Sequence, residues 1–330
     1  MRTRLCDLLG IEAPIVLAPM GGAVTPSLAA AVSNAGGLGM LPLTWTSPED
    51  IATAVDETRQ RTQRPFGVNL GLAWDQHDRL AAGLAAGVRI VSFFWGDASS
   101  IIGEAREGGA IVFVTVGTAE EGRAAATAGA DVIVAQGWEA GGHVWGTVST
   151  LALVPRVVDA VAPLPVVGAG GIADGRGLAA VLALGGVGAW VGTRFLAARE
   201  AEIHPDYRRR VLAASEADTF YGTLFDRGWP DAPHRTLRNS TIEAWERAGQ
   251  PASGSRPGET DEPASRPDGT PINRYASATP TAAMVGDVEP LPHWAGQGVG
   301  LVTREASAAE IVTSLVTEAE EAIESVRRHS

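Results

Sequence analysis

Short apolar or β-branched runs alternate with alanine-rich, helix-patterned stretches through roughly the first two hundred residues. The runs predict strands at Ile15–Ala18, Gly39–Leu41, Phe66–Leu70, Arg89–Phe93, Ile111–Thr115, Val132–Gln136, Pro165–Ala169 and Ala189–Gly192. The stretches between them predict helices near Pro26–Ala35, Pro48–Thr62, Gln76–Ala86, Ala98–Glu107, Ala119–Ala128, Leu151–Val161 and Gly175–Leu184. Thr25-Pro26 and Ser47-Pro48 are start signals, a capping hydroxyl ahead of a first-turn proline. Gly36-Gly37, Gly87, Gly108-Gly109, Gly129 and Gly185-Gly186 are the matching stops. Near-continuous apolar strands alternating with helices read as a parallel sheet buried on both faces. Eight such units fit an α/β TIM barrel most simply, with an open doubly wound sheet as the rival.

Beyond Thr193 the alternation stops. Short helices are predicted at Phe195–Glu202, Tyr207–Ser215 and Asn239–Ala248, and Pro251–Pro271 has the polar, Pro- and Gly-rich composition of a long exposed, disordered loop. Ala308–Val326 carries an apolar stripe at helical spacing (Ile311, Leu315, Val316, Ala319, Ile323, Val326) and is the natural cover for the eighth strand. The expected organisation is a barrel over residues 1–203 and 287–330, with a smaller, mostly helical cap inserted over 204–286. An insertion at that rim shapes a substrate pocket.

Composition narrows the partners. The 38 acidic and 26 basic residues leave a net charge of −12, and every basic residue is arginine. That balance argues against a general nucleic-acid or membrane-surface binder. The single cysteine, Cys6, rules out an internal disulfide and a cysteine-built metal site. No histidine or carboxylate pair falls at metal-ligand spacing, so no metal is expected. With no signal-peptide pattern and no long apolar run, the expectation is a cytoplasmic protein.

In a barrel the chemistry gathers after the strand ends. Ala18-Pro19-Met20-Gly21-Gly22 follows the first strand and lets a flat ring approach the backbone; Asn69 on the third suits a heterocycle or a phosphate. Glycine-rich turns follow the seventh (Gly168-Ala169-Gly170-Gly171) and eighth (Trp190-Val191-Gly192-Thr193) strands, where barrels frequently hold a phosphate on backbone amides. His143, behind Gly141-Gly142 on the sixth loop, is the candidate acid–base residue, and Glu139 either orients it or caps a turn. Phe93-Phe94-Trp95 reads equally as pocket lining or as core, and Trp74, Trp138 and Trp145 add bulk at the same rim. His77, His204, His234, His293 and His329 fall on helices or polar loops and are expected to be solvated.

The segments PIVLAPMGG, FGVNL, AQGWEAGGH, VVGAGGIADGRG and WVGTRFL, with AGQGVGL at Ala295–Leu301, together resemble the signature elements of the nitronate monooxygenase family. The resemblance implies a barrel with non-covalent FMN. Ala18, Pro19, Met20 and Gly21 lie beside the flavin ring, and Asn69 and Gln136 bond the flavin or its ribityl chain. Gly141, Gly142, Gly170 and Gly171 permit backbone contact, and Trp190, Val191, Gly192 and Thr193 close on the phosphate. Thr115 stands where some relatives carry a cofactor-contacting lysine. His143 aligns with the catalytic histidine. The implied reaction is oxidation of a nitroalkane or its nitronate by dioxygen to a carbonyl compound and nitrite, with His143 removing the acidic proton or holding the anion already formed. The family also makes a homodimer compatible. The rivals are an FMN- and NAD(P)H-dependent enoyl-acyl-carrier-protein or quinone reductase with the same EAGGH motif, and a non-catalytic flavin-binding barrel.

Overall fold

The period-two alternation along each strand is realised as two nested apolar layers. A computed structural model describes the backbone of residues 1–329 and the side chains of residues 1–328. Its eight barrel strands are β1 (Ile15–Leu17), β2 (Gly39–Pro42), β3 (Phe66–Gly71), β4 (Ile90–Phe94), β5 (Ile111–Val116), β6 (Val132–Gln136), β7 (Val166–Ala169) and β8 (Gly188–Val191). All pair in parallel with their sequence neighbours, and β8 pairs back onto β1. The ring closes where Leu17 N–H donates to Leu38 O and Leu38 N–H to Ile15 O, each at 2.9 Å. An open sheet is thereby excluded.

Ile15, Leu17, Val112, Val114, Ile133 and Val191 point outward into the layer shared with the helices. Val16, Met40, Phe113, Val134, Val167 and Trp190 point inward and fill the barrel. The N-terminal end is plugged by a helix that the sequence reading missed, Arg4–Leu9, whose Leu5, Cys6 and Leu9 join the inner layer. Six residues are too few to display a helical period. Through β8 the predicted elements otherwise fall within a residue or two of their observed ends, except that Ala98–Glu107 divides into a 3₁₀ turn, Ala98–Ser100, and a helix, Ile102–Glu107.

After β8 the helix Thr193–Leu196 stops short of the predicted Phe195–Glu202. The chain is diverted there because Arg199 N–H donates to Ala306 O and Ala306 N–H to Ala197 O, so the excursion starts and ends side by side. Helix Ala308–His329 then packs against Gly175–Ala183 and Pro26–Asn34 as the cover of the eighth strand. Ile311, Leu315 and Ala319 are buried, whereas Val326 is exposed, so the stripe ends a turn earlier than predicted.

The excursion was expected to be mostly helical. It carries the helices Pro205–Ala213 and Ser240–Arg247, but also two small antiparallel sheets. In one, Thr219–Gly222 and His234–Leu237 pair with each other, and His234–Leu237 also pairs with Gly142–His143 on the barrel rim. These runs are short and mostly polar or glycine-containing (Thr219–Gly222, His234–Leu237, Gly142–His143), without the continuous apolar, glycine-bounded pattern that marks the barrel strands. The segment 251–271, expected as a disordered loop, is pinned at its centre. Arg256 is buried, ion-paired to Asp226 (3.0 Å) and Glu259 (2.7 Å), bonded to Leu224 O (3.0 Å), and seated 4.1 Å over the Tyr275 ring.

Candidate active site

The inward-facing residue nearest the top of each strand forms the floor of a cavity of about 710 Å³ at the barrel's C-terminal end. Asn69, Thr115, Gln136, Ala169 and Trp190 take these places, with Ala18 just past β1. The same alternation removes Val191: one position beyond Trp190, it faces the helices and does not line the cavity. Pro19, Met20, Gly21, Gly142, His143, Gly192 and Thr193 form the walls, with Gly141, Gly170 and Gly171. Apart from Val191, all the expected site residues meet in this one chamber.

Two of the glycine positions differ in purpose. Gly170 and Gly171 run at φ 98° and 73°, and a Cβ on Gly170 would lie 2.8 Å from Gly137 O, so this wall is bare backbone by necessity. At Gly141 a Cβ would lie 2.3 Å from Gly296 N; here the missing side chain admits the chain returning from the insertion rather than a ligand.

His143 is held at both ends of its loop. The Gln136 amide donates to His143 O (3.2 Å) and accepts from Trp145 N–H (2.8 Å), so this side chain, expected to reach the flavin, clamps the histidine loop. Glu139 accepts from the Thr150 N–H and hydroxyl, capping the following helix and leaving His143 to others. From the insertion, Arg235 pairs with Gly142 and His234 with His143 across the small sheet. The Arg235 guanidinium lies 4.4 Å over the Trp138 ring and donates to Trp138 O (2.9 Å). A buried cation without a carboxylate is held here by a ring face and a carbonyl.

The imidazole of His143 stacks on Trp229, with ring centroids 3.9 Å apart and planes 29° from parallel. Trp95, Trp294 and His234 surround it at 5.7, 5.5 and 5.8 Å. Its Nε2 is buried with no hydrogen-bond partner among the described residues. Desolvation, with the nearby His234 as a smaller contribution, pushes its pKa down to about 3, so the ring is neutral in neutral solution. Asn69 donates through Nδ2 to Ser92 O and Oγ (3.2 and 3.1 Å), which leaves its Oδ1 without a protein partner.

The other histidines divide. His234 and His293 are fully buried, contrary to the expectation of solvated rings. His234 bonds Ala232 O through Nδ1 (2.9 Å) and accepts from Phe225 N–H at Nε2 (3.2 Å); His293 stacks on Tyr207 and bonds Val288 O. Burial pushes their pKa values down to about 4 and about 3. His77 is half exposed beside Glu104, whose hydrogen bond raises its pKa, and His204 caps Pro205–Ala213. The side chain of His329 lies outside the described residues. Phe93 belongs to the core, Phe94 lines the cavity, and Trp95, at φ 65°, packs against Trp145 and Trp229. Trp229 and Trp294 carried no signal in the sequence, since each reaches His143 from a segment more than 80 residues away.

The family model for nitronate monooxygenase matches residues 2–82 and 71–318. The chain is 40% identical, over 78% of its length and 70% of the relative's, to a (3aS,4S,5R,7aS)-5-hydroxy-7a-methyl-1-oxo-octahydro-1H-indene-4-carboxyl-CoA dehydrogenase of Mycobacterium tuberculosis. It is 33% identical to a nitronate monooxygenase of Paraburkholderia phytofirmans, over 98% of this chain and 97% of that one. The solved structure of FabK from Thermotoga maritima superposes over 100% of both chains with a TM-score of 0.85 at 34% identity. The family model, the Paraburkholderia relative and the FabK structure run through the barrel and the insertion alike, and the chain belongs to the nitronate monooxygenase family, whose members are flavin-dependent oxidoreductases.

Proposed function

We propose that the chamber binds FMN and that the protein oxidises alkyl nitronates with dioxygen, yielding a carbonyl compound and nitrite. The residues present fit such a cofactor. A 710 Å³ cavity lies within the ordinary span of cofactor sites, roughly 300–1,000 Å³. The bare backbone at Gly170–Gly171 and the Gly192–Thr193 turn suit a phosphate, while Asn69 Oδ1 and the Thr115 hydroxyl are neutral groups for the ring and ribityl chain. FMN, when bound, supplies the redox chemistry, taking electrons from the substrate and delivering them to dioxygen.

The observation that carries the reading is the setting of His143, stacked on Trp229 with a buried Nε2 that has no partner among the described residues. A neutral imidazole whose conjugate acid has a pKa of about 3 is a weak base toward a neutral nitroalkane. In its Nε2–H tautomer it is well suited to hold a nitronate oxygen, which would give the buried, unpartnered Nε2 its hydrogen bond. His143 therefore positions the preformed anion, and the stacked Trp229 keeps water from the same face. A second reading, NAD(P)H-dependent reduction of an enoyl thioester or quinone, is favoured by one observation: FabK superposes over the entire chain.

The test combines a substitution with a choice of reductant. Wild-type protein is expected to consume preformed nitronates at least about a hundredfold more efficiently than the neutral nitroalkanes. His143→Asn is expected to keep its flavin and lose about 10²-fold in kcat on the nitronate, the scale of one removed hydrogen-bond donor at a developing charge. Anaerobic mixing decides between the readings. Rapid flavin bleaching by NADPH, with none by a nitronate, would install the reductase instead.

A further inference from the structure

The charges lining the chamber are all of one sign. Of 330 residues 38 are acidic, yet among the described residues no Asp or Glu lines the cavity, and the charged residues that do are Arg227 and Arg266. Both come from the insertion and both are exposed. Arg227 donates through one Nη2 to Glu259 O (3.0 Å). Among the described residues the Arg266 side chain makes no hydrogen bond or ion pair; its charge is one of the smaller influences that lower the pKa of Asp268, two positions on. On a molecule of net charge −12, unneutralised cations at the mouth of a low-dielectric chamber concentrate anions there.

The neighbouring wall is aromatic. Trp45 is 58% exposed and meets Trp229 edge to face at 5.8 Å, and Phe94 lines the chamber behind them. An indole left this open beside a cavity offers a face to an apolar body.

We propose that the chamber's outer compartment takes a substrate with a bulky apolar body and an anionic tail, the body against Trp45 and Trp229 and the tail against Arg227 and Arg266. The tail is a carboxylate or a phosphate, both of which a guanidinium fork accepts. The proposal rests on reading the cavity as the substrate chamber, and it is independent of which flavin reaction takes place there.

The experiment is therefore a binding measurement on the flavin-loaded protein, by calorimetry, with decanoate, decyl phosphate and uncharged decanol. Both anions share decanol's apolar body, and at least one is expected to bind about tenfold tighter than the alcohol, the worth of one good charge-assisted hydrogen bond. Whichever anion binds tighter identifies the tail. Arg227→Gln/Arg266→Gln is expected to bring that anion to the level of decanol while leaving decanol unchanged. Arg266→Gln alone, which disturbs no hydrogen bond within the chain, is expected to remove part of the preference. Equal binding of all three probes, or a preference that survives the double substitution, overturns the proposal. A nitronate reaction that fails while the anion preference persists would instead count against the oxidation chemistry alone.

Discussion

His234 and His293 are buried and His143 is half-buried on the cavity wall, and desolvation favours the neutral form of all three rings, with pKa values of about 4, 3 and 3. In the unfolded chain each would take up a proton near its ordinary value of 6.5. Above that value both states are neutral and the rings cost nothing. As the pH falls below it, the unfolded chain binds protons that the folded chain refuses, and stability drops by about 1.4 kcal/mol per pH unit for each histidine. Glu259 and Glu310, held down to about 2 by backbone N–H donors, titrate below this window. Urea midpoints measured between pH 6.5 and 4.5 should therefore fall steadily, and His293→Asn, at a ring that does not itself line the chamber, should flatten the slope. A pH-independent midpoint across that interval would mean that these rings are not desolvated. The same neutrality of His143 implies that kcat/KM for a nitronate carries no histidine-like limb near pH 6.5.

At the level of elements, the insertion completes the site through one strand. His234–Leu237 pairs with Gly142–His143, and the Pro251–Pro271 segment stands behind that sheet with Arg256 as its pin. Arg256→Met leaves Asp226 and Glu259 without their cation and is expected to cost about 3 kcal/mol, the scale of breaking a largely buried ion pair from one side. Deleting Gly254–Arg266 should lower the thermal midpoint, although its composition reads as dispensable; an unchanged midpoint would show the pin to be idle. Here lies the boundary of what the sequence displays. The barrel strands are legible because β-branched runs and glycine stops are local signals, and Asn69, Thr115 and His143 are legible because barrel chemistry sits at strand ends. Trp229, Trp294, His234 and Arg235 are not, because their partners lie far along the chain, the two tryptophans sit outside any strand, and the strand that carries His234 and Arg235 has no apolar run. Val191 was misplaced by taking a contiguous motif whole, where alternation turns successive residues to opposite layers. Arg256 hid in a polar run because charge reads as solvent exposure until its partners are seen.

The whole molecule places the chamber between two bodies of structure: a barrel floor of inward-facing side chains and a cover of tryptophans and arginines from the insertion. A ligand touching both is linked to the folding of both. Protein purified without added cofactor is expected to be yellow, with about one FMN per chain, and to lose thermal stability when stripped. Readdition at a hundredfold excess over Kd should restore about 2.7 kcal/mol, since a ligand that binds only the folded state stabilises it by mass action. Because Trp229 stacks on His143 and Arg235 pairs with Gly142, the restored stability should extend to the insertion. Proteolysis within residues 214–233 would then slow when FMN is bound. Colourless protein that takes up no FMN would remove the cofactor assignment, and FMN binding that protects the barrel but not the insertion would show the two to be uncoupled across the chamber.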